Sequence, residues 1–341
     1  MTYLVTGSAG FIGYHVARAL LVAGHDVVGL DSVNDYYRTD LKEERLSLLD
    51  AAASESTGSW RFYRGELEEA AFLSKVFDSH AFDRVIHLAA QAGVRYSITN
   101  PWAYSASNLA GFLSILEQCR AKAIAHLAYA SSSSVYGMNA SESFSEKDPV
   151  DHPVSLYAAT KRANELMAHT YSHLYGLPTT GMRFFTVYGP YGRPDMAYFK
   201  FADAIMRDES IDVYNGGDLY RDFTYVDDVV KAVIDIADRV PTAVEGPTDS
   251  LGPDRSSAPF RVYNIGNSSP ERLEDFIAIL EAALGKSARK RYLPMQSGDV
   301  YRTSADTQAL YEDFGWKPST PLSVGLRAFA EWYKERKPWL L

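Results

Sequence analysis

Two side chains in the middle of the chain are spaced for acid–base chemistry. Tyr157 and Lys161 lie four residues apart in a stretch with a helical pattern, so both should project from one face of a helix. A nearby ammonium group favours a phenolate, because its positive charge stabilises the charged form. A phenolate can accept the proton of an alcohol while a hydride leaves the same carbon. The same spacing occurs on ordinary solvent-exposed helices, so the interpretation depends on the surrounding residues.

A run of serines precedes this pair. Ser131 to Ser134 follow a strand that we predict over residues 124–130. Parallel sheets place their binding sites at the carboxyl ends of the strands. We therefore expect these hydroxyls close to Tyr157 and Lys161, in a site that oxidises and reduces an alcohol.

A glycine-rich turn joins the first predicted strand, residues 2–6, to a helix over 11–23. Gly7 permits a tight turn, Gly10 lets a pyrophosphate approach the backbone, and Gly13 lets helix and strand pack closely. The start of the helix supplies free N–H groups and a favourable dipole. Three glycines can also form a plain turn, but here strand, glycines and helix follow the order that a dinucleotide site needs.

The ends of two further predicted strands carry residues that suit a nicotinamide cofactor. Asp31 ends the second strand, 18 residues after Gly13. A carboxylate there accepts hydrogen bonds from a ribose 2'-hydroxyl and repels a 2'-phosphate, which favours NAD over NADP. Ala89 and Ala90, beside Gln91, are small residues of the kind expected where backbone passes close to a cofactor. A tightly packed strand end is the alternative for these residues.

The elements that must position these residues alternate between strand and helix. This pattern predicts an α/β fold with a Rossmann-type, doubly wound parallel sheet and a smaller C-terminal substrate-binding lobe. The predicted strands cover residues 2–6, 25–30, 60–64, 84–88, 124–130 and 179–184, and the predicted helices 11–23, 67–78, 101–121 and 156–175.

The second half of the chain is less regular. Residues 241–259 are rich in Pro, Ser, Gly and Asp and are predicted to form a mobile surface loop. We predict an NAD-binding domain over residues 1–185. Residues 186–341 should mainly form the substrate-binding lobe, with some segments returning to the sheet. Its predicted helices cover 199–207, 226–239, 270–284 and 324–336.

Composition and charge argue against several classes of function. The chain has 341 residues, and its net charge of −9 disfavours a nucleic-acid partner, which usually meets a basic face. Cys119 is the only cysteine, so no intrachain disulfide can form, which suits a reducing cytoplasm. The eight histidines lack metal-ligand spacing, and no apolar run reaches the roughly 18 residues of a membrane span. We expect a cytoplasmic protein without targeting segment, metal or membrane partner.

These motifs resemble the extended short-chain dehydrogenase/reductases of the nucleotide-sugar epimerase group, over residues 2–332. Tyr157 and Lys161 match their catalytic pair, and Ser132, 25 residues before Tyr157, matches their catalytic serine. The resemblance implies that Tyr157 is the acid/base and that Lys161 also holds the nicotinamide ribose. Glu66 replaces the usual Asp near the adenine. The implied cofactor-binding set is Gly7, Gly10, Phe11, Ile12, Gly13, Asp31, Asn34, Glu66, Leu67, Ala89, Ala90, Gln91, Asn108, Tyr157, Lys161 and Phe184.

Within this group, three segments resemble the UDP-glucuronate 4-epimerases: residues 34–37, 90–95 and 183–197. Arg193 is the candidate for the substrate carboxylate, because a guanidinium offers a fork of donors to a planar anion. A loop arginine in solvent is the alternative. The resemblance places Arg221 at the diphosphate and Asp299 at the uridine ribose, whereas Gln296 replaces a frequent Arg. The implied substrate-binding set is Arg95, Ser132, Ser133, Ser134, Tyr157, Thr186, Arg193, Arg221 and Asp299.

The resemblance implies NAD-dependent epimerisation of UDP-glucuronic acid to UDP-galacturonic acid at C4, through a transient 4-keto sugar. Relatives that decarboxylate this substrate resemble TSEVYG where this chain has an SSSVYG segment, Ser132 to Gly137. The missing acid at Ser134 favours epimerisation. The alternatives are a UDP-glucose or UDP-N-acetylglucosamine 4-epimerase, a UDP-glucuronate decarboxylase, or a catalytically silent NAD-binding module. The resemblance also implies a homodimer joined through helices around residues 103–118 and 156–175.

Overall fold

The computed structural model describes residues 1–244, 251–295 and 300–340. These residues form two units, and each unit combines separate stretches of the chain. Unit 1 comprises Met1–Ala140, Ser145–Phe184 and the described residues of Val230–Asn264. Unit 2 comprises Ser141–Phe144, Phe185–Val229 and the described residues from Ile265 onward. The chain thus leaves unit 1 after Phe184 and returns to it at Val230. The assignment of NAD binding to residues 1–185, and mainly of substrate binding to residues 186–341, stays a prediction.

The strands are numbered along the chain. They are β1 (Thr2–Thr6), β2 (Asp26–Asp31), β3 (Trp60–Arg64), β4 (Arg84–His87), β5 (Leu127–Ser132), β6 (Thr179–Phe184), β7 (Thr186–Tyr188), β8 (Ser210–Tyr214), β9 (Tyr220–Tyr225), β10 (Phe260–Ile265), β11 (Pro270–Arg272) and β12 (Arg289–Leu293).

The main sheet confirms the predicted doubly wound fold. Among the described residues its strand order is β3-β2-β1-β4-β5-β6-β10, and the pairs from β3 through to β6 are parallel. Every residue of β6 is buried, as expected for a parallel strand covered by helices on both faces. The chain runs outward from β1 in both directions, to β2 on one side and β4 on the other. Such a reversal places a ligand site at the carboxyl ends of these strands.

The helices are likewise numbered along the chain. They are α1 (Phe11–Val22), α2 (Thr39–Ser54), α3 (Ala70–Ser79), α4 (Tyr96–Thr99), α5 (Pro101–Tyr104), α6 (Phe112–Ala121), α7 (Leu156–Tyr175), α8 (Ala197–Met206), α9 (Val226–Asp238), α10 (Leu273–Leu284), α11 (Gln308–Phe314) and α12 (Leu322–Leu340). None of the helices in the described ranges is long and apolar enough to span a bilayer.

Three sequence predictions of elements were wrong in ways that matter for the site. Helix α2 was missed altogether. The helix predicted over 101–121 is interrupted by a π-helical turn, Ser105–Gly111. Strand β5 starts later than predicted and continues through Ser132, so two of the serines lie within the strand. The predicted loop over 241–259 lies partly outside the described residues.

Unit 2 is built on two small sheets and an aromatic core. Its described strands pair in the orders β11-β9-β7 and β12-β8. Phe199 of α8 packs against Phe329 and Tyr333 of α12, with ring centroids 5.8 Å and 5.7 Å apart. Offset and edge-on aromatic pairs of this kind stabilise a core beyond their area burial.

Candidate active site

The glycine turn after β1 is formed by close backbone contacts. Gly7 has a φ of +73°, which other L residues rarely adopt, and a Cβ added there would lie 2.7 Å from the Ala89 nitrogen. A Cβ added at Gly13 would lie 2.0 Å from the Gly7 carbonyl oxygen. Gly10 precedes α1 and has no side chain to cap it, so an anion can satisfy the first-turn amides. Side chains at Gly7 or Gly13 would therefore clash with the backbone of the turn, and the uncapped amides of α1 suit a pyrophosphate.

Asp31 ends β2 and is held by backbone donors. Its Oδ2 accepts a hydrogen bond from Ala9 N at 3.1 Å, and its Oδ1 accepts one from Val33 N at 2.8 Å. A carboxylate can accept about four hydrogen bonds, so capacity remains for ribose hydroxyls. The structure thus gives Asp31 a rigid orientation at the edge where a dinucleotide ribose is expected.

Two buried cations beside the glycine turn were not found from the sequence. Arg45 on α2 donates from Nη1 to the Ala9 carbonyl at 2.8 Å and to the Tyr37 hydroxyl at 2.7 Å. Lys42 donates from Nζ to the backbone and side-chain oxygens of Asn34, at 2.6 Å and 2.8 Å. These contacts attach the 34–37 segment to the glycine turn. Lys and Arg three apart on a helix normally indicate a solvated face, so the sequence carried no clear signal.

Asn108 lies on the π-helical turn, and its side chain binds the backbone of the segment that follows β4. Its side chain accepts a hydrogen bond from Gln91 N at 2.8 Å and donates to Gln91 O at 3.0 Å. It also donates to the Thr160 hydroxyl on α7 at 3.1 Å. Helix segments of this type often occur at functional sites. Asn108 therefore positions Gln91 and connects it to the helix that carries Tyr157.

Helix α7 begins where its sequence supplies a cap. Ser155 accepts a hydrogen bond from Ala158 N at 3.1 Å, so Tyr157 lies in the first turn of the helix. The Tyr157 ring is half-buried and packs edge-on against Tyr104, with centroids 6.1 Å apart. The capped start of the helix fixes the backbone of Tyr157, and the contact with Tyr104 restricts the position of its ring.

Lys161 lies one turn further along α7 and is 2% exposed. Its Nζ donates a hydrogen bond to the Ala130 carbonyl of β5 at 3.1 Å. Burial lowers the pKa of Lys161 from 10.5 to about 8, because desolvation penalises the ammonium form. Lys161 therefore reaches from the helix to the strand that carries Ser131 and Ser132.

Ser132 ends β5 and caps the short 3-10 turn Ser133–Tyr136. Its Oγ accepts a hydrogen bond from Ser134 N at 3.2 Å and donates to Ser134 Oγ at 3.1 Å. The structure thus links the hydroxyls of Ser132 and Ser134, while Lys161 bonds the carbonyl two residues earlier. These contacts bring Ser132, Ser134 and Lys161 to one region of unit 1, and their roles in catalysis and substrate binding stay a prediction.

The other predicted residues of unit 1 differ in exposure. The structure places Phe11, Leu67 and Phe184 among its buried side chains. The half-buried members are Ile12, Ala89, Ala90 and Ser133, and the exposed members are Asn34, Glu66 and Arg95.

The predicted substrate residues of unit 2 include one engaged ion pair. Arg193 donates from Nε and Nη2 to the two carboxylate oxygens of Asp195, at 3.0 Å and 2.5 Å. Arg221 donates from Nη1 to the Tyr220 carbonyl at 2.8 Å. Thr186 begins β7 and is half-buried. Asp299 and Gln296 lie outside the described residues. Within the described ranges, no three His, Cys, Asp or Glu side chains are grouped so that they could hold a metal.

Comparison with known proteins gives the family. The model of the NAD dependent epimerase/dehydratase family matches residues 3–266. Protein CapI of Staphylococcus aureus is 53% identical over 337 residues, which cover 98% of this chain and 99% of that protein. UDP-glucuronate 4-epimerase 3 of Arabidopsis thaliana is 48% identical over 335 residues, which cover 97% and 76%.

A solved structure agrees with these matches. The crystal structure of UDP-glucuronic acid 4-epimerase from Bacillus cereus, in complex with UDP-glucuronic acid and NAD, has a TM-score of 0.85 and 31% identity. The match covers 98% of this chain and 99% of that one. The resemblance predicted from the motifs is confirmed: the chain belongs to the NAD dependent epimerase/dehydratase family.

Proposed function

We propose that this protein catalyses the NAD-dependent epimerisation of UDP-glucuronic acid to UDP-galacturonic acid at C4. The observation that carries the chemistry is Lys161, a buried lysine of α7 that is hydrogen-bonded to β5 two residues before Ser132. The choice of sugar is supported by the similarity to the Arabidopsis and Bacillus cereus UDP-glucuronate 4-epimerases.

The residues of unit 1 fit an NAD cofactor. The glycine turn would hold the pyrophosphate, since the first-turn amides of α1 have no side-chain cap at Gly10. Asp31 would accept hydrogen bonds from the adenine-side ribose, and Lys161 would donate to the nicotinamide ribose. When bound, NAD would supply the hydride acceptor for C4, and its reduced form would supply the hydride donor. Inversion at C4 requires the 4-keto sugar to turn so that its opposite face receives the hydride.

The side chains of α7 and β5 handle the proton. Before the reaction Tyr157 is a phenolate, which the Lys161 ammonium stabilises. It accepts the proton of the C4 hydroxyl, and the resulting phenol later returns that proton to the C4 oxygen. The Ser132 hydroxyl would donate a hydrogen bond to the same sugar oxygen. Its one donor hydrogen faces Ser134 Oγ in the structure, so the hydroxyl has to turn from Ser134 to the sugar when the substrate binds.

The 4-keto sugar carries a carboxylate beta to its ketone, an arrangement that loses CO2 readily. An epimerase must therefore keep the bond between C5 and the carboxylate out of alignment with the carbonyl. We assign this task to hydroxyl donors from Ser133 and Ser134 and to the fork of Arg193. Asp195 already holds that fork in the geometry that a carboxylate requires, so a uronate would have to displace Asp195 or share the guanidinium with it.

We also propose that the enzyme is a cytoplasmic homodimer. The predicted dimer helices carry exposed apolar side chains: Leu113 on α6 and Leu166 and Leu174 on α7. Exposed apolar side chains on neighbouring helices suit a protein interface. Sedimentation of the purified protein tests the dimer, and replacing Leu166 and Leu174 by Glu should yield monomers.

The activity is tested with purified wild-type protein and the Tyr157→Phe variant. Each is incubated with UDP-glucuronic acid and NAD, and the products are identified by chromatography and NMR. The wild type should form UDP-galacturonic acid without UDP-pentose, and the variant should bind NAD but form no product. A UDP-pentose product would instead indicate a decarboxylase. Conversion of UDP-glucose or UDP-N-acetylglucosamine alone would keep the mechanism and overturn the assigned sugar.

A further inference from the structure

A fully buried ion pair lies next to the predicted catalytic residues in unit 1. Glu165 is 1% exposed and Arg183 is 0% exposed. Two parallel hydrogen bonds join them, from Nε to Oε1 at 2.8 Å and from Nη2 to Oε2 at 2.9 Å. Buried ion pairs seldom add stability, and apolar replacements of similar volume are often equally stable or more so. The presence of the pair therefore calls for an explanation other than stability.

Glu165 connects helix α7 to strand β5. The Ser131 hydroxyl donates a hydrogen bond to Glu165 Oε1 at 2.7 Å. One turn earlier on α7, Lys161 donates to the carbonyl of Ala130, the residue before Ser131. Two contacts thus join consecutive strand residues to side chains four apart on the helix. A shift or rotation of α7 against β5 would break both, and Ser132 is the next residue of the strand.

Arg183 connects the same strand to β6 and to the 3-10 turn Ser133–Tyr136, the serine turn. Ser131 pairs with Arg183 in the β5–β6 register. The Arg183 Nη1 donates to the Tyr136 hydroxyl at 3.1 Å, and the guanidinium lies over the Tyr136 ring at 4.9 Å. Tyr136 ends the turn that contains Ser133 and Ser134. Its hydroxyl donates in turn to Asn264 Oδ1 of β10 at 2.7 Å.

Both members of the pair are charged. Burial by itself raises the pKa of Glu165, but the charge and hydrogen bonds of Arg183, together with Ser131, lower it below its usual value. Burial likewise favours neutral Arg183, but Glu165 raises the pKa of the guanidinium above its usual range. An ionised carboxylate only accepts hydrogen bonds, so the Ser131 hydroxyl is the donor in its bond to Glu165.

We propose that Glu165 and Arg183 are positioning residues for the reaction. They hold the Lys161 ammonium on α7, the Ser132 hydroxyl on β5 and the serine turn in the one relative arrangement in which the proton of the sugar can be exchanged with Tyr157. The pair contacts all three segments without belonging to the predicted substrate or cofactor sets. This inference rests on the proposed function for its assay, but its geometry is independent of which sugar is bound.

The test uses three full-length variants. The double variant Glu165→Met/Arg183→Met removes both charges, so neither is left buried without a partner. Ser131→Ala removes only the hydrogen bond between strand and pair. Arg162→Gln is the matched control, because Arg162 also bonds Glu165, at 3.0 Å, but its side chain is partly exposed. Thermal midpoint, NAD affinity by calorimetric titration, and kcat and KM for UDP-glucuronic acid are measured for each.

A positioning role predicts that the double variant keeps or gains thermal stability but loses roughly 100-fold in kcat, the cost of about 1 Å of misplacement. Its NAD affinity should also fall, because Lys161 is displaced, while KM changes little. Ser131→Ala should lose about tenfold in kcat, as a smaller displacement costs less. The control should match the wild type.

Each contrary result is decisive. A folded double variant with wild-type kcat and NAD affinity overturns the proposal and leaves a purely structural pair. If the double variant does not fold, Ser131→Ala decides, and an unchanged kcat overturns the proposal. If the wild type does not convert UDP-glucuronic acid, the proposed function fails. The NAD affinities of the variants then still decide the role of the pair.

Discussion

Replacing Lys161 by methionine should abolish activity and yet stabilise the NAD-free protein. The side chain is 2% exposed, and burial lowers its pKa from 10.5 to about 8. At about 1.4 kcal/mol per pKa unit, that fall corresponds to about 3 kcal/mol of folding free energy lost at neutral pH. Methionine fills a similar volume without a charge. It leaves the Ala130 carbonyl without this donor, which costs about 1 kcal/mol. The net gain at pH 7 is therefore about 2 kcal/mol.

The stability difference between Lys161→Met and the wild type should depend on pH in a defined direction. Below pH 8, Lys161 is protonated in both the folded and unfolded states, so the full desolvation penalty applies. Between pH 8 and 10.5 the unfolded state binds more protons than the folded state, so wild-type stability rises with pH through this window. The methionine variant has no such group. Its advantage should be greatest below pH 8 and should be lost by about pH 10.5.

Urea unfolding of the NAD-free wild type and Lys161→Met, at pH 7 and pH 10, measures this difference. Lys200→Met, at an exposed position of α8, controls for the loss of one positive charge. A Lys161→Met variant less stable than the wild type at pH 7 would show that the buried ammonium carries no net desolvation penalty. A stability difference that did not change with pH would show the same.

Three further predictions concern the substrate and the cofactor. Arg193→Ala should lower kcat/KM far more for UDP-glucuronic acid than for UDP-glucose, and equal losses would remove Arg193 from the carboxylate. Ser134→Glu restores the acid of the decarboxylase-like segment and should release some UDP-pentose; a product mixture without it would show that this position does not partition the two outcomes. Gly13→Ala places a Cβ 2.0 Å from the Gly7 oxygen and should therefore distort the glycine turn. NAD binding should weaken in a calorimetric titration, and wild-type affinity would show that the glycine turn does not hold the cofactor.

The elements with local signals could be predicted closely from the sequence. Strands β1, β3 and β6 and helix α7 have the predicted bounds, because runs of β-branched or aromatic residues and the Ser155 cap define them within a few residues. The glycine turn was also predictable, because the spacing of its glycines indicates where the backbone of the turn makes close contacts.

Contacts between distant residues could not be predicted. Helix α2 was missed because its buried face includes Lys42 and Arg45, so its apolar pattern is weak. Glu165 and Arg183 are charged residues of types that usually lie in solvent, and only the packing of α7 against β5 and β6 makes them a buried pair. The pairing of Arg193 with Asp195 is local, but the conformation of its loop decides whether the two side chains meet.

The most direct test of the account is to approach equilibrium from both directions. Purified protein with NAD is incubated separately with UDP-glucuronic acid and with UDP-galacturonic acid, and both sugars are followed by NMR. Epimerisation at C4 with Tyr157 as the acid/base predicts the same final ratio from either side, no UDP-pentose, and no conversion by Tyr157→Phe. Conversion by the Tyr157→Phe variant, or a failure of the wild type to interconvert the two uronates, would contradict it.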